Sequence, residues 1–257
     1  MNVLVACEYS GVVREAFRAR GHNAWSCDLL PADDGSEFHF QEDVVRLLAM
    51  EVQPWDLMIA HPPCTYLCSS GLHWNRRTPG RQEETEKALG FVNLLLSCHW
   101  IPKIALENPV GCISTRIRKY DQLIQPWQFG DDASKKTCLW LKGLEPLRHT
   151  KIIPPSGWSL PKFATDCVPC ELCGEPFCED CNDHYADCSC IGPTQDEATY
   201  KKVDGYTFAT LIENPGKPVW ANQTASGQNR LGPSDDRWKE RSKTYQGIAD
   251  AMADQWG

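Results

Sequence analysis

An α/β fold built on a doubly wound, mostly parallel sheet is predicted by three features of this chain. Short continuous apolar runs recur, as at Asn2–Ala6 and Leu57–Ala60, in the manner of strands buried on both faces. Stretches with helical apolar spacing lie between such runs. Two of the runs end in proline-bearing segments that each carry a reactive side chain, His61-Pro62-Pro63-Cys64 and Glu107-Asn108-Pro109. Open α/β sheets build their sites at this carboxyl edge.

The elements follow in order. After the first run, Val12 to Arg20 places Val12, Val13, Ala16, Phe17 and Ala19 near a helical period, and Gly21 is the expected stop. His22 to Cys27 reads as the second strand, ending at Asp28, and Glu42 to Leu48 as a short helix. Leu57 to Ala60 feeds the Pro-Pro-Cys. Glu83 to Trp100 predicts a longer helix with Leu89, Val92, Leu95 and Leu96 on one side. Ile104 to Leu106 and Thr137 to Leu141 are further strands. From about 146 to 230 the periodicity fades among prolines, and an irregular region is expected. Asp235 to Trp256 is helical again, with Asp235 or Asp236 as cap and Gly247 as a break or bend. The expected divisions are a first domain over 1–145, an irregular region over 146–230, and a helix over 231–257 that returns to the first domain.

A chain of 257 residues, 42% hydrophobic and 23% charged, is globular and long enough for one sizeable core plus a small module. No apolar run reaches the roughly 18 residues of a membrane span. The start lacks a basic region and a cleavage site. A cytoplasmic, membrane-free monomer is therefore expected. The formal charge of −8 argues against non-specific binding of polyanions, though not against a local basic face.

Seven of the 14 cysteines fall between Cys167 and Cys190. Cys167, Cys170, Cys173, Cys178, Cys181, His184, Cys188 and Cys190 supply seven thiols and one imidazole at short spacings. Structural zinc takes four such ligands per ion, so the set suits two Zn2+ sites. An iron–sulfur cluster would not use the histidine.

Chemistry is legible at three other places. The turn Cys7-Glu8-Tyr9-Ser10-Gly11 opens the first helix, where backbone amides could hold an anionic group. Asp28 and Asp43 follow successive strands, where nucleoside-binding sheets place carboxylates. A lone cysteine is ordinarily a core residue. After Pro62-Pro63 at a strand end, Cys64 reads instead as a nucleophile. The loop beyond it carries Arg76, Arg77 and Arg81 among Ser, Gly and Asn, which suggests mobility and phosphate contacts. Arg116, Arg118 and Lys119 form a second basic group. A second Glu213-Asn214-Pro215 falls in the irregular region and reads as a turn.

The ordered set of Gly11, Asp28, Asp43-Val44, Pro62-Pro63-Cys64, Glu107-Asn108-Pro109 and Tyr245-Gln246-Gly247 resembles the DNA (cytosine-5) methyltransferases, especially small phage-encoded members. The resemblance covers residues 1–145 and 230–257, with Cys64 and Glu107 separated by 43 residues. It implies a Rossmann-like methyltransferase fold, double-stranded DNA as substrate and S-adenosyl-L-methionine as methyl donor. If phage-encoded, the protein would act in the host cytoplasm. Cys64, Glu107 and Asn108 would be catalytic. Tyr9, Ser10, Gly11, Asp28, Asp43, Val44, Pro62 and Gly247 would line the cofactor site. Arg76, Arg77, Arg81, Lys135 and Lys136 would meet DNA.

In the implied chemistry Cys64 adds to C6 of a flipped cytosine, and Glu107, protonated by burial, donates to N3. The activated C5 then takes the methyl group. The chain departs from the pattern at three points. Its first turn lacks Phe-x-Gly-x-Gly. His61 stands where glycine is usual. Ala133-Ser-Lys135-Lys136-Thr137 replaces Gln-x-Arg-x-Arg, with Lys136 the nearest candidate for the base-contacting arginine. Two other readings remain open. One is transfer from a folate donor or to RNA. The other is a catalytically silent, zinc-dependent DNA-binding protein.

Overall fold

The computed structural model describes residues 1–50, 53–160, 199–210, 215–234 and 237–257, plus the backbone of three short strands at 167–169, 176–178 and 183–184. Cα packing divides it into two compact units. One comprises 1–131, 135–152 and 232–257, and the other 132–134 and 153–231.

The first unit is a seven-stranded sheet of order β3-β2-β1-β4-β5-β7-β6. Its strands are β1 (Asn2–Ala6), β2 (Asn23–Asp28), β3 (His39–Gln41), β4 (Leu57–Ala60), β5 (Lys103–Pro109), β6 (Gln122–Ile124) and β7 (Thr137–Lys142). Strands β1 to β5 pair in parallel, and β7 runs antiparallel to both β5 and β6. This is the mostly parallel α/β sheet that the alternating runs predict. The order reverses between β1 and β4, which opens a crevice beyond their carboxyl ends.

Side-chain alternation along each strand sorts the core onto two faces. Leu4, Ala6, Met58, Ala60, Ile104 and Leu106 pack with helices α2 (Val44–Ala49) and α4 (Arg81–Leu96). Val3, Val5, Leu57, Ile59 and Ala105 pack with α1 (Val12–Arg18) and the C-terminal helix α7 (Gln246–Trp256). Ile248, Met252 and Trp256 of α7 are almost fully buried. Each such side chain contributes about 1.5–3 kcal/mol. The Trp256 indole N–H donates to Glu145 O at 2.9 Å and fixes the helix end.

Several expectations change. The last segment is two helices, α6 (Arg237–Ser242) and α7. The break falls at residues 243–245, where Tyr245 is extended ahead of Gln246, so Gly247 lies inside the first turn of α7. Gly247 is there for close approach. A Cβ on it would strike Phe129 O and come within 2.8 Å of Asp131 Oδ2, which accepts the Gly247 N–H at 3.0 Å. The proposed caps Asp235 and Asp236 lie outside the described residues.

The second unit is less irregular than its composition implies. Strands β11 (Thr199–Val203) and β12 (Tyr206–Thr210) form a hairpin whose turn residues Asp204 and Gly205 have φ of 48° and 91°. Phe208 packs edge-on against Trp220, whose indole donates to Ile153 O at 2.9 Å. Strands β8 (Cys167–Pro169), β9 (Pro176–Cys178) and β10 (Asp183–His184) pair antiparallel, with Cys167 opposite Cys178. Of the eight candidate zinc ligands, Cys170, Cys173, Cys181, Cys188 and Cys190 lie outside the described residues, as do Glu213 and Asn214. Among the described residues there is no group of metal-ligating side chains and no helix long and apolar enough to cross a membrane.

The packing at Gly247 yields a test. Gly247→Ala is expected to cost about 1–3 kcal/mol by forcing α7 away from Phe129. Urea unfolding of the variant checks this, and an unchanged midpoint would return Gly247 to a ligand-binding role.

Candidate active site

Register builds the site. Ala60 pairs with Leu106 in the parallel β4–β5 ladder, so the residues that follow come side by side. His61 Nδ1 stands 2.7 Å from Glu107 Oε2, and one residue further the Asn108 amide donates to Pro62 O at 2.8 Å. Past this point the two loops stay joined. Cys112 N–H donates to Leu67 O at 2.9 Å and Ser69 N–H to Val110 O at 3.0 Å. Gly111 permits the approach, since a Cβ there would strike Leu67 O and lie 2.8 Å from Cys68 Cα. Neither His61 nor Gly111 was singled out for function by the sequence. The signal available was His61 in a glycine's usual place and a glycine two residues beyond Pro109.

Glu107 is 8% exposed. Burial pushes its carboxyl up, but Lys135, the His61 bond and the Thr137 hydroxyl outweigh burial and hold it at about 2. The expectation of a carboxyl kept protonated by burial is therefore corrected: Glu107 is ionised in the ligand-free protein. An ionised carboxylate only accepts, so His61 Nδ1 carries the hydrogen of their bond. The His61 side chain is 8% exposed, and its Nε2 has no partner among the described residues. The same holds for Asn108 Oδ1.

Cys64 lies on a tight turn whose carbonyl accepts from both Leu67 N–H and Cys68 N–H at 3.0 Å. The nearness of Cys68, with burial and the nearby Glu107, pushes the Cys64 thiol up. The nearness of Cys64 and the Ser70 hydroxyl 3.1 Å away lower the Cys68 thiol against burial.

Lys135 acts electrostatically on both Cys64 and Glu107, and its backbone is fixed by Gln125 Oε1 at 2.8 Å. The residue facing the centre is thus Lys135, one place before the expected Lys136, which is exposed.

The crevice side is altered from expectation. Glu8, fully buried and pushed up by that burial, accepts from Val13 N–H at 2.7 Å and Arg14 N–H at 3.2 Å. The amides expected to hold an anion at the start of α1 are filled by the chain's own carboxylate. Tyr9 is buried, 3.2 Å from the Ser242 hydroxyl, with its ring against Trp238. Gly11 has φ of 75° and adjoins the ion pair between buried Arg14 and exposed Asp34, so the turn demands glycine. Asp28 is half-buried and pushed up by burial, with one oxygen accepting from Leu30 N–H at 2.9 Å. Asp43 caps α2 through Val45 N–H at 2.8 Å, and Val44 is buried beneath it, so both have structural duties.

The loop after Cys64 is pinned to α4. It forms a short helix, α3 (Ser69–Leu72), and a 3-10 turn at His73–Arg76. Arg81 Nη2 donates to Thr65 O at 3.0 Å, and its guanidinium lies 4.8 Å over the Tyr66 ring. Arg76 and Arg77 remain exposed, Arg77 near the Trp74 ring at 5.7 Å. The second basic group is also committed: Arg116 grips Glu86 at 2.9 Å, and Arg118 grips Asp121 at 2.8 Å.

The Glu107 geometry carries a pH signature. A folded value near 2 against an ordinary one of 4.5 means its stabilisation is complete above about pH 4.5 and is lost as pH falls toward 2. Glu107→Gln should therefore be less stable than the parent at neutral pH, with the difference shrinking in acid. Urea midpoints across that range decide it, and a pH-independent difference would mean Glu107 is protonated when folded.

No protein-family model and no curated protein matches the chain. Among solved structures it is similar to a crystal structure described as a "putative DNA modification methyltransferase encoded within prophage" of E. coli. The two share 15% identity with a TM-score of 0.41, over 66% of this chain and 55% of the other. The chain thus spans about half the length of that protein, and at this identity and score the likeness assigns no chemistry to it.

Proposed function

We propose that this protein is a DNA (cytosine-5-)-methyltransferase acting as a monomer through a covalent Cys64 adduct. The observation that carries the reading is the joined pair of strand ends, with Cys64 on the loop that follows β4 and the Glu107 carboxylate on the neighbouring parallel strand β5. That arrangement suits an attack on a pyrimidine at C6 with proton transfer on its N3 edge.

Glu107 begins ionised. A flipped cytosine placed against it would crowd the carboxylate with the N3 lone pair and exclude water, which draws one proton onto Glu107 as the base binds. Cys64 gives up its thiol proton to solvent, and the Glu107 proton passes to N3 as Cys64 Sγ bonds C6. Lys135, beside both groups, offsets the charge that develops and takes the place of the missing arginine. S-adenosylmethionine, when bound, supplies an electrophilic methyl group to C5. Asp28, at the end of β2, is placed for ribose hydroxyls, and Ser10 and Gly11 border the same crevice. Loss of the C5 proton to a base then lets Cys64 leave. Arg76 and Arg77 would meet DNA phosphates.

The Cys167–Cys190 segment is assigned two structural zinc ions. Its backbone register supports this by setting Cys167 opposite Cys178.

One observation favours a second reading. Glu8 occupies the amides that would receive a donor's carboxylate, so C5 could instead accept a one-carbon unit from a folate and become hydroxymethylated. Incorporation from each labelled donor separates the two.

Cys64→Ser is expected to fold, transfer nothing and form no adduct with a 5-fluorocytosine duplex; normal turnover would end the covalent reading. Glu107→Gln should lose turnover by about 10²- to 10⁴-fold with little loss of DNA binding. Elemental analysis should find about two zinc ions per chain, and a strong chelator should abolish specific DNA binding while the parallel sheet stays folded. Zinc-free purified protein that still binds specifically would remove the metal assignment.

A further inference from the structure

An ionised Glu107 must gain a proton before it can give one to N3, and a buried donor already stands against it. His61 Nδ1 lies 2.7 Å from Glu107 Oε2, and the hydrogen between them sits on the ring. The two side chains are 8% and 10% exposed, so bulk water has little access to that bond. The place of His61 is fixed by the sheet, since its backbone N–H donates to Ala6 O at 2.9 Å. Strand β4 runs between β1 and β5, so the imidazole at its end stands between Glu8, after β1, and Glu107 of β5. The ring acts electrostatically on both of these buried carboxyls. Its Nε2 is buried, and no donor among the described residues blocks a second hydrogen there.

We propose that His61 supplies, through the Glu107 carboxyl, the proton that is delivered to N3. The imidazole begins with hydrogen on both nitrogens. As a pyrimidine binds against Glu107 and excludes water, the Nδ1–H bond breaks, its electron pair stays on the imidazole, and the proton bonds Glu107 Oε2. The carboxyl gives this proton to the N3 lone pair while Cys64 Sγ bonds C6. The imidazole is left neutral, with hydrogen on Nε2. When Cys64 leaves, N3 returns the proton by the same route, so the pair starts each turnover unchanged and no further reactant enters. His61 acts through Glu107 and is a positioning residue. The charged and titratable groups around the pair are Glu8 with Arg14 of α1, Cys64 from the loop after β4, Cys138 of β7, and Lys135 from the segment before β7.

Delivery to N3 rests on the cytosine reading, but the pair can be read without DNA. Full-length protein with isotope-labelled histidine is titrated by nitrogen NMR from about pH 8 to about pH 5, the range in which an imidazole gains its second proton. His61 is identified as the signal missing from His61→Asn. Its Nδ1 is expected to keep its hydrogen throughout while Nε2 completes the charged ring. In Glu107→Gln the second proton should bind at lower pH, because the anion that favours the charged ring is gone. His61→Asn offers Glu107 an amide N–H in place of Nδ1 but no proton to give. It should slow adduct formation with a 5-fluorocytosine duplex about 10²-fold at about pH 7, the low end of what a positioned proton donor contributes. The deficit should shrink as the pH falls, where solvent loads Glu107 directly.

A ring that gains no second proton over this range, or whose titration ignores Glu107→Gln, overturns the proposal. So does a His61→Asn deficit that stays constant with pH, which marks a purely structural role, and so does adduct formation by that variant at the parental rate. Should His61→Asn fail to fold, His61→Gln takes its place in both arms. If the parent forms no adduct on any cytosine duplex while the ring titrates in step with Glu107, the cytosine reading fails and delivery to N3 falls with it.

Discussion

The parallel pairing of β4 with β5 in a single register is the constraint on which the site depends. With Ala60 opposite Leu106, the next two residues of each strand meet as His61 with Glu107 and Pro62 with Asn108. A shift of one residue would turn every side chain to the other face of the sheet and separate them. The joint is carried outward by backbone bonds at Leu67–Cys112 and Ser69–Val110, which only a residue without Cβ at 111 permits. Thiol and carboxylate thus belong to one rigid body, and little reorganisation stands between the resting site and a reactive one.

Electrostatics at the sheet edge follow from that rigidity. A buried carboxylate is expensive unless paired, and both buried glutamates are provided for locally. Glu8 is held by the first amides of α1, and Glu107 by His61 and the nearby Lys135. The consequence for chemistry is that the acid of the site rests ionised and its thiol rests protonated. Each must exchange a proton when a substrate arrives. Two buried atoms without a partner among the described residues, His61 Nε2 and Asn108 Oδ1, lie at this same joint. A buried polar atom with no partner costs about 1–3 kcal/mol, so a ligand that satisfied one would gain by that amount.

The helices of the first unit hold this edge from behind. Helices α1 and α7 cover one face and α2 and α4 the other, and the division reproduces the alternation of Val3 and Val5 against Leu4 and Ala6. Gly247 and Gly11, which resemble ligand-binding positions by their place in the order of motifs, are required for packing and for a left-handed turn. Asp43 likewise has a capping bond. A residue type that suits a cofactor also suits a cap or a close contact, and sequence order does not separate the two.

What the sequence by itself determined was whatever depends on local pattern. The strands at Asn2–Ala6 and Leu57–Ala60, the helix of Leu89, Val92 and Leu95, and the strand-end positions of Cys64 and Glu107 all follow from periodicity and from prolines, which act on near neighbours. Tertiary structure decided the rest, because charge and contact act across space. Burial alone predicts a protonated Glu107, while the Lys135 and His61 brought beside it make it an anion. Arginines that look free in sequence are taken by Thr65, Glu86 and Asp121. The joining of the two site loops depends on Gly111, 43 residues beyond Cys68 and adjacent to it only once β4 and β5 align.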